Sequence, residues 1–519
     1  MKMNNMVIEN IRKLHSGKPM LSINNNNNLS NGISIILIVL ISMLFSVSLI
    51  AQDKSQPFTS TLNADEIEQY GDFTVEEAIA RIPGVQVDRD GNINLRGVGQ
   101  NNYYVTVNGQ RMGTTGLGER SVDLSIIPVE LVNKIEFVKV LTADMDADGL
   151  AGVINIITNQ PDSSRTVVTG GIGGGFTTNN YENQVGPTGR AWVGYSAPLS
   201  DVFSIAMKVN YQRDDLGRQS LGMDYGVQDF GSGNVDVLER LSPGLQTDLS
   251  DRFGGLVNLD FIPSETTSFY LRAMANVDNN SEEGHFTEWR ANESWDDQSL
   301  TGSGASYGYN LNTRNTEYSQ YTFNAGAKHM FNAFTLNYDA GWAQSKVNRD
   351  DYLFPFLDTG VEYNVNFDDR ERPSTETVDE MPAPEDLRLM EMTYIVNNQI
   401  NRKITGNVDV EIPISLGTFK LGSSAILTVK DANDLGAYSE YHQTFGLSAL
   451  YMNDFEKYDQ GSVSVFDEDY DLGRLVKSGE AKDFYQSSIP NMRLDNAAYN
   501  RDSHIRNYYA DEQIYAGYG

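Results

Sequence analysis

From Pro161 onwards, apolar and polar residues alternate one by one over segment after segment. In VFSIAMKVNYQ, Phe203, Ile205, Met207, Val209 and Tyr211 share one side, while Ser204, Ala206, Lys208, Asn210 and Gln212 share the other. FTLNYDAGWAQ sets Phe334, Leu336, Tyr338, Ala340 and Trp342 against Thr335, Asn337 and Asp339; NVDVEIPI does the same with Val408, Val410, Ile412 and Ile414. A period of two belongs to strands, whose successive side chains point to opposite faces. It predicts ten of them, near 165–177, 187–198, 202–214, 251–262, 268–279, 319–331, 334–347, 401–414, 418–431 and 504–518. A soluble sandwich alternates too, so the pattern alone leaves sandwich and membrane barrel open. Connection lengths separate them: tight turns (LSD, PSETT, NA, SLG) alternate with connections of roughly 35 to 70 residues, apart from a short first one, as the two ends of an outer-membrane barrel do.

The stretch from Thr74 to Thr158 is patterned differently. Thr74 and Glu77 have capping-box spacing, and Val75, Ala78, Ile79 and Ile82 make one helical face that stops at Pro83-Gly84. Val85 and Val87 mirror Ile93 and Leu95 across Asp90-Gly91, a hairpin signal repeated in YVTVNGQRM at Asn108-Gly109. A second short helix is expected near Pro128, ahead of KIEFVKVL and VINIIT. The chain thus divides into a mixed α/β unit and a longer β unit.

At the N-terminus, Lys2, Arg12, Lys13 and Lys18 precede the apolar run Ile33 to Ala51, which is followed by polar QDKSQ. This predicts a secretory signal cleaved after Ala51, with an uncleaved anchor as the alternative. No later window approaches 18 apolar residues, so a membrane form must be a closed barrel, in which every backbone group finds a partner. The net charge of -31 argues against nucleic acid as a partner. Absence of cysteine excludes disulfides, thiolate metal sites and a lipid-bearing N-terminal Cys.

The segments TVEEAIARIPGVQV, NLRGVG, VTVNGQRM, IPVELVNKIEFVKV and GLAGVINIIT, in that order, resemble the plug domain of TonB-dependent outer-membrane receptors over about 90 residues. The positions carrying the resemblance are Pro83, Gly84, Arg96, Gly97, Asn108, Gly109, Glu136, Gly149, Gly152 and Asn155. It implies an α+β plug followed by an antiparallel transmembrane β-barrel of about 22 strands, of which about ten are present, as in an N-terminal fragment. The expected divisions are 1–51 signal peptide, 52–73 periplasmic extension, 74–160 plug and 161–519 the first part of the barrel with long extracellular loops. VLTADMDADGLAG departs from the family's usual Gly-Pro after the IE strand and looks like a subset linked to carbohydrate uptake. No clear TonB box stands between Gln52 and Phe73, TSTLNADEIEQ being a poor candidate, so energy coupling is implied by the plug alone. The partners implied are the inner-membrane TonB complex, outer-membrane lipid and a small-molecule or oligosaccharide ligand, in a Gram-negative outer membrane.

No nucleophile elbow, phosphate loop or zinc signature appears, and the five His are scattered, so neither a catalytic site nor a haem or other cofactor is expected. DMDADG (Asp144 to Gly149) has the opening of a calcium loop, but Asn155 stands where the bidentate Glu must be, so no metal is expected. Arg96 and Glu136 are candidates, by resemblance, for charges that lock plug to wall. Phe286, Trp289 and Trp295, with Tyr352, Phe354 and Phe356, sit among acids and amides and are candidate ligand contacts by stacking on sugar rings; a membrane-interface girdle is the alternative. Imported carbohydrate is the preferred ligand and ferric siderophore the second, because the expected loops are acidic. A secreted or anchored adhesion protein and a passive plugged porin are the rival functions.

Overall fold

The computed structural model describes residues 59–519 apart from the internal segments 89–90, 92, 117–119, 178–185, 230–232, 292–293, 296–300, 367–368, 378–380, 416, 441–448, 459–461, 467–468, 489–492 and 495–507. The proposed signal run up to Ala51 therefore lies outside the described residues. No described helix is long and apolar enough to cross a membrane.

The first unit is built on a five-stranded sheet. Its strands are β1 (Thr59–Asn63), β4 (Tyr103–Val107), β5 (Gln110–Arg111), β6 (Val132–Val138) and β7 (Gly152–Thr158), in spatial order β1-β6-β7-β4-β5. Helices α1 (Ala64–Tyr70) and α2 (Val75–Ile79) and the hairpin β2 (Val85–Val87)–β3 (Ile93–Leu95) complete it. Thr74 caps α2, its Oγ1 accepting the Glu77 N–H at 3.3 Å. The hairpin pairs Val85 with Leu95 and Val87 with Ile93, the register the sequence predicts. Asn108 and Gly109 both have positive φ (51° and 83°), as a two-residue type I′ turn requires. Two differences stand out. TSTLN is not an extension ahead of the plug but an edge strand of its sheet, pairing Thr59 with Val138 through Asn63 with Lys134. The expected helix after Pro128 is a single 3-10 turn, Val129–Leu131.

The second unit is one antiparallel meander: β8 (Val167–Thr177), β9 (Gly186–Ser200), β10 (Phe203–Asp229), β11 (Asn234–Ser264), β12 (Thr267–Arg290), β13 (Thr301–Met330), β14 (Thr335–Asn366), β15 (Glu391–Ile414), β16 (Gly417–Glu440) and β17 (Tyr508–Tyr518), each beside its sequence neighbour. The ten expected strands are here, but most run far past their expected outer ends. β10 and β11 stay paired out to Asp229 with Asn234, and β13 and β14 out to Thr301 with Asn364. Much of what alternation assigned to loops is therefore strand. The apolar phase is interrupted where the strands leave their expected spans, as at Arg213-Asp214-Asp215, which carries polar groups on both faces while the backbone ladder continues; alternation resumes farther out, at Leu221, Met223, Tyr225 and Val227.

Burial is inverted relative to a water-soluble protein. Asn210, Gln212, Ser250, Asn258, Asn276, Gln320, Asn324, Ser345 and Asn401 are buried on one face. Val209, Phe253, Val257, Phe323, Trp342, Ile404 and Val408 are exposed on the other. Exposed apolar and enclosed polar faces suit a wall with lipid outside and a folded body inside. The plug core, including Ile79, Leu95, Ile126, Ile135, Phe137, Ile154 and Ile156, reaches the wall at Leu256 and Met274, on the enclosed face.

Candidate functional site

Two centres organise the plug. Asn155, the one polar side chain within VINII, joins three strands: its Oδ1 accepts from Thr106 Oγ1 at 2.8 Å and Gly109 N at 3.3 Å, and its Nδ2 donates to Glu136 Oε2 at 3.1 Å. Asn108 accepts the Thr158 N–H at 3.0 Å, which ties the β4–β5 turn to the end of β7. The second centre is Arg111. Its guanidinium lies 4.5 Å over the Tyr104 ring and forks between Asp146 (2.9 Å) and Asp148 (2.5 Å). Arg120 also reaches Asp148, at 2.8 Å. The DMDADG acids are thus taken by cations, and among the described residues no group of three or more potential metal ligands is gathered.

Arg96 donates to the Lys139 carbonyl at 3.1 Å, and Glu136 pairs with Lys134 at 2.6 Å as well as with Asn155. Both bonds stay inside the plug. The charges that cross from wall to plug are others: wall Arg190 on plug Glu130 (3.1 Å), wall Lys420 on plug Asp144 (2.5 Å), and wall Lys430 on the Gly116 carbonyl (2.6 Å). Neutral contacts extend the seam, with Asn258 donating to Thr158 (2.8 Å), Ser345 to Gly113 O (2.8 Å), and Asn401 and Gln399 to Thr114 (3.0 and 2.9 Å). Only parity could have flagged the wall cations in the sequence: Lys208, Lys403 and Lys430 occupy the polar phase of otherwise alternating strands.

The remaining turn positions singled out in the sequence stay inside the plug. Gly84 and Gly97 have φ of 94° and 76°, with Gly84 O accepting the Arg96 N–H at 2.8 Å after Pro83. Gly149 and Gly152 bracket the loop that returns the chain to β7, the Gly152 N–H meeting Gly149 O at 2.9 Å.

Two cavities of about 370 and 350 Å3 lie along the seam. The first is lined by Glu136, Asn155 and Asp144 of the plug with Tyr270, Asp339 and Asn407 of the wall. The second is lined by Met112, Thr114 and Arg120 with Asn401, Lys403, Lys430 and Glu512. Tyr104 and Arg111 border both, so the stacked pair stands between them.

Five of the six candidate aromatic contacts are placed by their side chains; that of Trp295 lies outside the described residues, its backbone pairing with Gly302. Trp289, Tyr352, Phe354 and Phe356 are buried, Trp289 and Tyr352 each bordering a cavity. Trp289 packs on Tyr307 (4.5 Å between ring centroids), Tyr352 on Tyr485 (5.6 Å) and Phe356 on Phe455 (5.3 Å). They form an apolar core with Leu475, Val476 and α3 (Ser478–Ser488), contributed by the connection between β16 and β17. By strand parity this core lies on the face opposite the plug: Trp289 shares its side of β12 with Phe269, and Phe356 its side of β14 with Trp342. Glu283 fastens the same segment, accepting from Tyr458 Oη (2.8 Å) and Ser478 Oγ, while His285 Nε2 lies 2.8 Å from its Oε1. Phe286 alone of the five points to the enclosed face. A Cβ added to either Gly244 or Gly284 would collide with its ring, so the phenyl group lies over a glycine pair. It lines a cavity of about 390 Å3 with Arg218, Glu282, Arg314, Arg349 and Asp351.

Burial, reinforced by Asp123, Glu77 and Asp88 and opposed by Arg252, pushes the Glu76 carboxyl from its ordinary value of 4.5 up to about 7. A raised value means the folded plug binds this proton more tightly than the unfolded chain. The contribution is full below about pH 4.5 and is lost as the pH rises through about 7. Denaturant midpoints measured from pH 5 to 8 are expected to fall with pH, and Glu76→Gln to flatten that fall; an equal slope in both proteins would rule Glu76 out as its source.

Residues 51–153 match the family described as the TonB-dependent Receptor Plug Domain. The chain is 28% identical over 238 residues to a vitamin B12 transporter, BtuB, of Photobacterium profundum, a match covering 44% of this chain and 38% of that relative's length. Among solved structures it resembles a mutant ferric enterobactin receptor of Pseudomonas aeruginosa in complex with enterobactin (TM-score 0.34, 12% identity, 76% of this chain and 79% of that one). It also resembles the siderophore receptor PirA of Acinetobacter baumannii (TM-score 0.29, 12% identity, 78% and 76%).

Proposed function

We propose that this chain, whose plug domain at residues 51–153 is followed by an antiparallel β-wall, is a TonB-dependent receptor and not an enzyme, and that it imports a scarce solute across the outer membrane by energy-coupled movement of that plug. The observation that carries this reading is the seam. A folded body is held against the enclosed polar face of the wall by separable polar contacts and ion pairs, and cavities lie between the two. Hydrogen bonds and partly exposed ion pairs each contribute only about 1 kcal/mol net, so they can be broken one after another by an external pull. The inner-membrane TonB complex is the proposed source of that pull, and 1–51 the proposed export signal.

The solute is proposed to be of the cobalamin or ferric-chelate kind, ahead of carbohydrate. The aromatic residues that favoured sugar stacking are mostly packed into a core, and the matched curated relative is named for vitamin B12. Uptake of labelled cobalamin and ferric chelates by receptor-deficient cells producing the chain tests this. Accumulation of one of them that collapses when the proton-motive force is dissipated is expected. Accumulation indifferent to that force would indicate a passive plugged porin, and recovery of the chain as a detergent-independent monomer an adhesion protein; either overturns the proposal.

A further inference from the structure

The second seam cavity is basic inside an otherwise strongly acidic chain. Arg111 and Arg120 enter it from the plug, Lys403 and Lys430 from the wall. Arg111 is engaged with Asp146 and Asp148, and Arg120 with Asp148 at 2.8 Å and, at 3.9 Å, with Glu512, the lining carboxylate, so the wall lysines carry the excess positive charge. Lys403 is the informative member. Its residue is only 5% exposed, and its ammonium reaches a neutral hydroxyl, Thr428 Oγ1, at 3.5 Å. Among the described residues no carboxylate comes within 4.0 Å of it. Burying a cation without a counter-charge is costly, and proteins ordinarily pair such a group. Here the side chain borders a space of about 350 Å3, large enough for a small polyanion.

We infer that this cavity binds the anionic group, carboxylate or phosphate, of a small solute, with Lys403 and Lys430 on one side of the anion and Arg111 and Arg120 on the other. This rests on the uptake reading and narrows it to solutes that carry negative charge. Neutral sugar lacks the group such a site would select. The place is also apt: an anion beside Arg111 competes with Asp148 for the guanidinium that stands between the two cavities, so occupancy would loosen the plug at the point where the path is closed.

Calorimetric titration of the purified full chain in detergent with citrate, and with sucrose as the neutral control, tests the inference. Saturable citrate binding that weakens with added salt is expected, with no heat from sucrose. Lys403→Met, which keeps the volume and removes the charge, is expected to weaken citrate by about tenfold or more, while Lys403→Arg retains most of the affinity. Arg120→Gln, at the half-exposed rim, serves as a second variant that does not endanger folding and is expected to weaken binding severalfold. No saturable binding, equal binding of sucrose, or citrate affinity unchanged in both Lys403→Met and Arg120→Gln overturns the inference. Energy dependence of uptake in cells is a separate readout: if it holds while citrate binding fails, only the anion site falls, and if citrate binds while uptake is passive, the coupling falls and the site stands.

Discussion

Replacing Arg111 with methionine is expected to destabilise the plug by about 3 kcal/mol, because it removes the cation paired with Asp146 and one of the two cations on Asp148, both acids being largely enclosed. The side chain is 9% exposed, and those of Asp146 and Asp148 are 18% and 25% exposed. Methionine fills similar space beside Tyr104, so the loss is electrostatic more than steric. Unfolding of the purified chain by denaturant should show a lowered midpoint, and a double-mutant cycle with Asp146→Asn should recover part of the loss, since the second change removes the acid that loses its cation, Asp148 keeping Arg120. Additive effects would mean that Arg111 and Asp146 do not depend on each other. A second consequence is local: with the stacked pair gone, the two seam cavities join, and a small hydrophilic antibiotic should enter cells producing the variant faster than cells producing the parent chain.

Gly152→Ala is expected to be at least as damaging. Gly152 has a φ of 132°, a backbone region that L side chains rarely adopt, and an added Cβ would lie 2.5 Å from the Phe137 ring and 2.7 Å from the Val138 carbonyl. Neither neighbour can retreat easily, for Phe137 is fully buried in the plug core and Val138 is bonded into β6. Strain of this kind costs about 1–3 kcal/mol from the backbone alone, and the overlap with Phe137 adds to it. Gly71, also at positive φ but with nothing within 4 Å of its would-be Cβ, supplies the comparison: Gly71→Ala should lose only the backbone part. Protease digestion of outer membranes should therefore cut the plug readily in Gly152→Ala and sparingly in Gly71→Ala. Equal resistance of the two would show that the β7 entry is not tightly packed.

Legibility in the sequence follows the physics of each region. Where a strand separates oil from a polar interior, as at Phe203 to Tyr211, alternation locates it to within a few residues. Across Arg213-Asp214-Asp215 both faces are polar and the periodic signal lapses until Leu221, Met223, Tyr225 and Val227 resume it, although the hydrogen-bond ladder continues throughout. TSTLN, too short and polar to show a period, becomes a strand only because β6 offers it an edge. Within the plug, turns announce themselves through residues that tolerate positive φ, Asn108-Gly109 above all. The function of individual charges is less visible. Arg96 and Glu136 attract notice in the sequence but bond within the plug, whereas Lys420, Lys430 and Arg190 reach the plug surface they face, which no local pattern encodes. Aromatic clusters mislead in the same way: Trp289, Tyr352, Phe354 and Phe356 look ready for a ligand until the connection after β16 is found packed on them.

The seating of the plug within the membrane wall can be measured directly, because the chain contains no cysteine and any disulfide must be an introduced one. Thr114 and Asn401 belong to plug and wall, and their side chains meet at 3.0 Å, close enough for a bridge once both are replaced by cysteine. In isolated outer membranes, mild oxidation of Thr114→Cys/Asn401→Cys followed by proteolysis between the two sites should leave the fragments joined until reductant is added. Fragments that separate without reductant, from membranes in which both thiols are reactive, would contradict a plug held inside this wall.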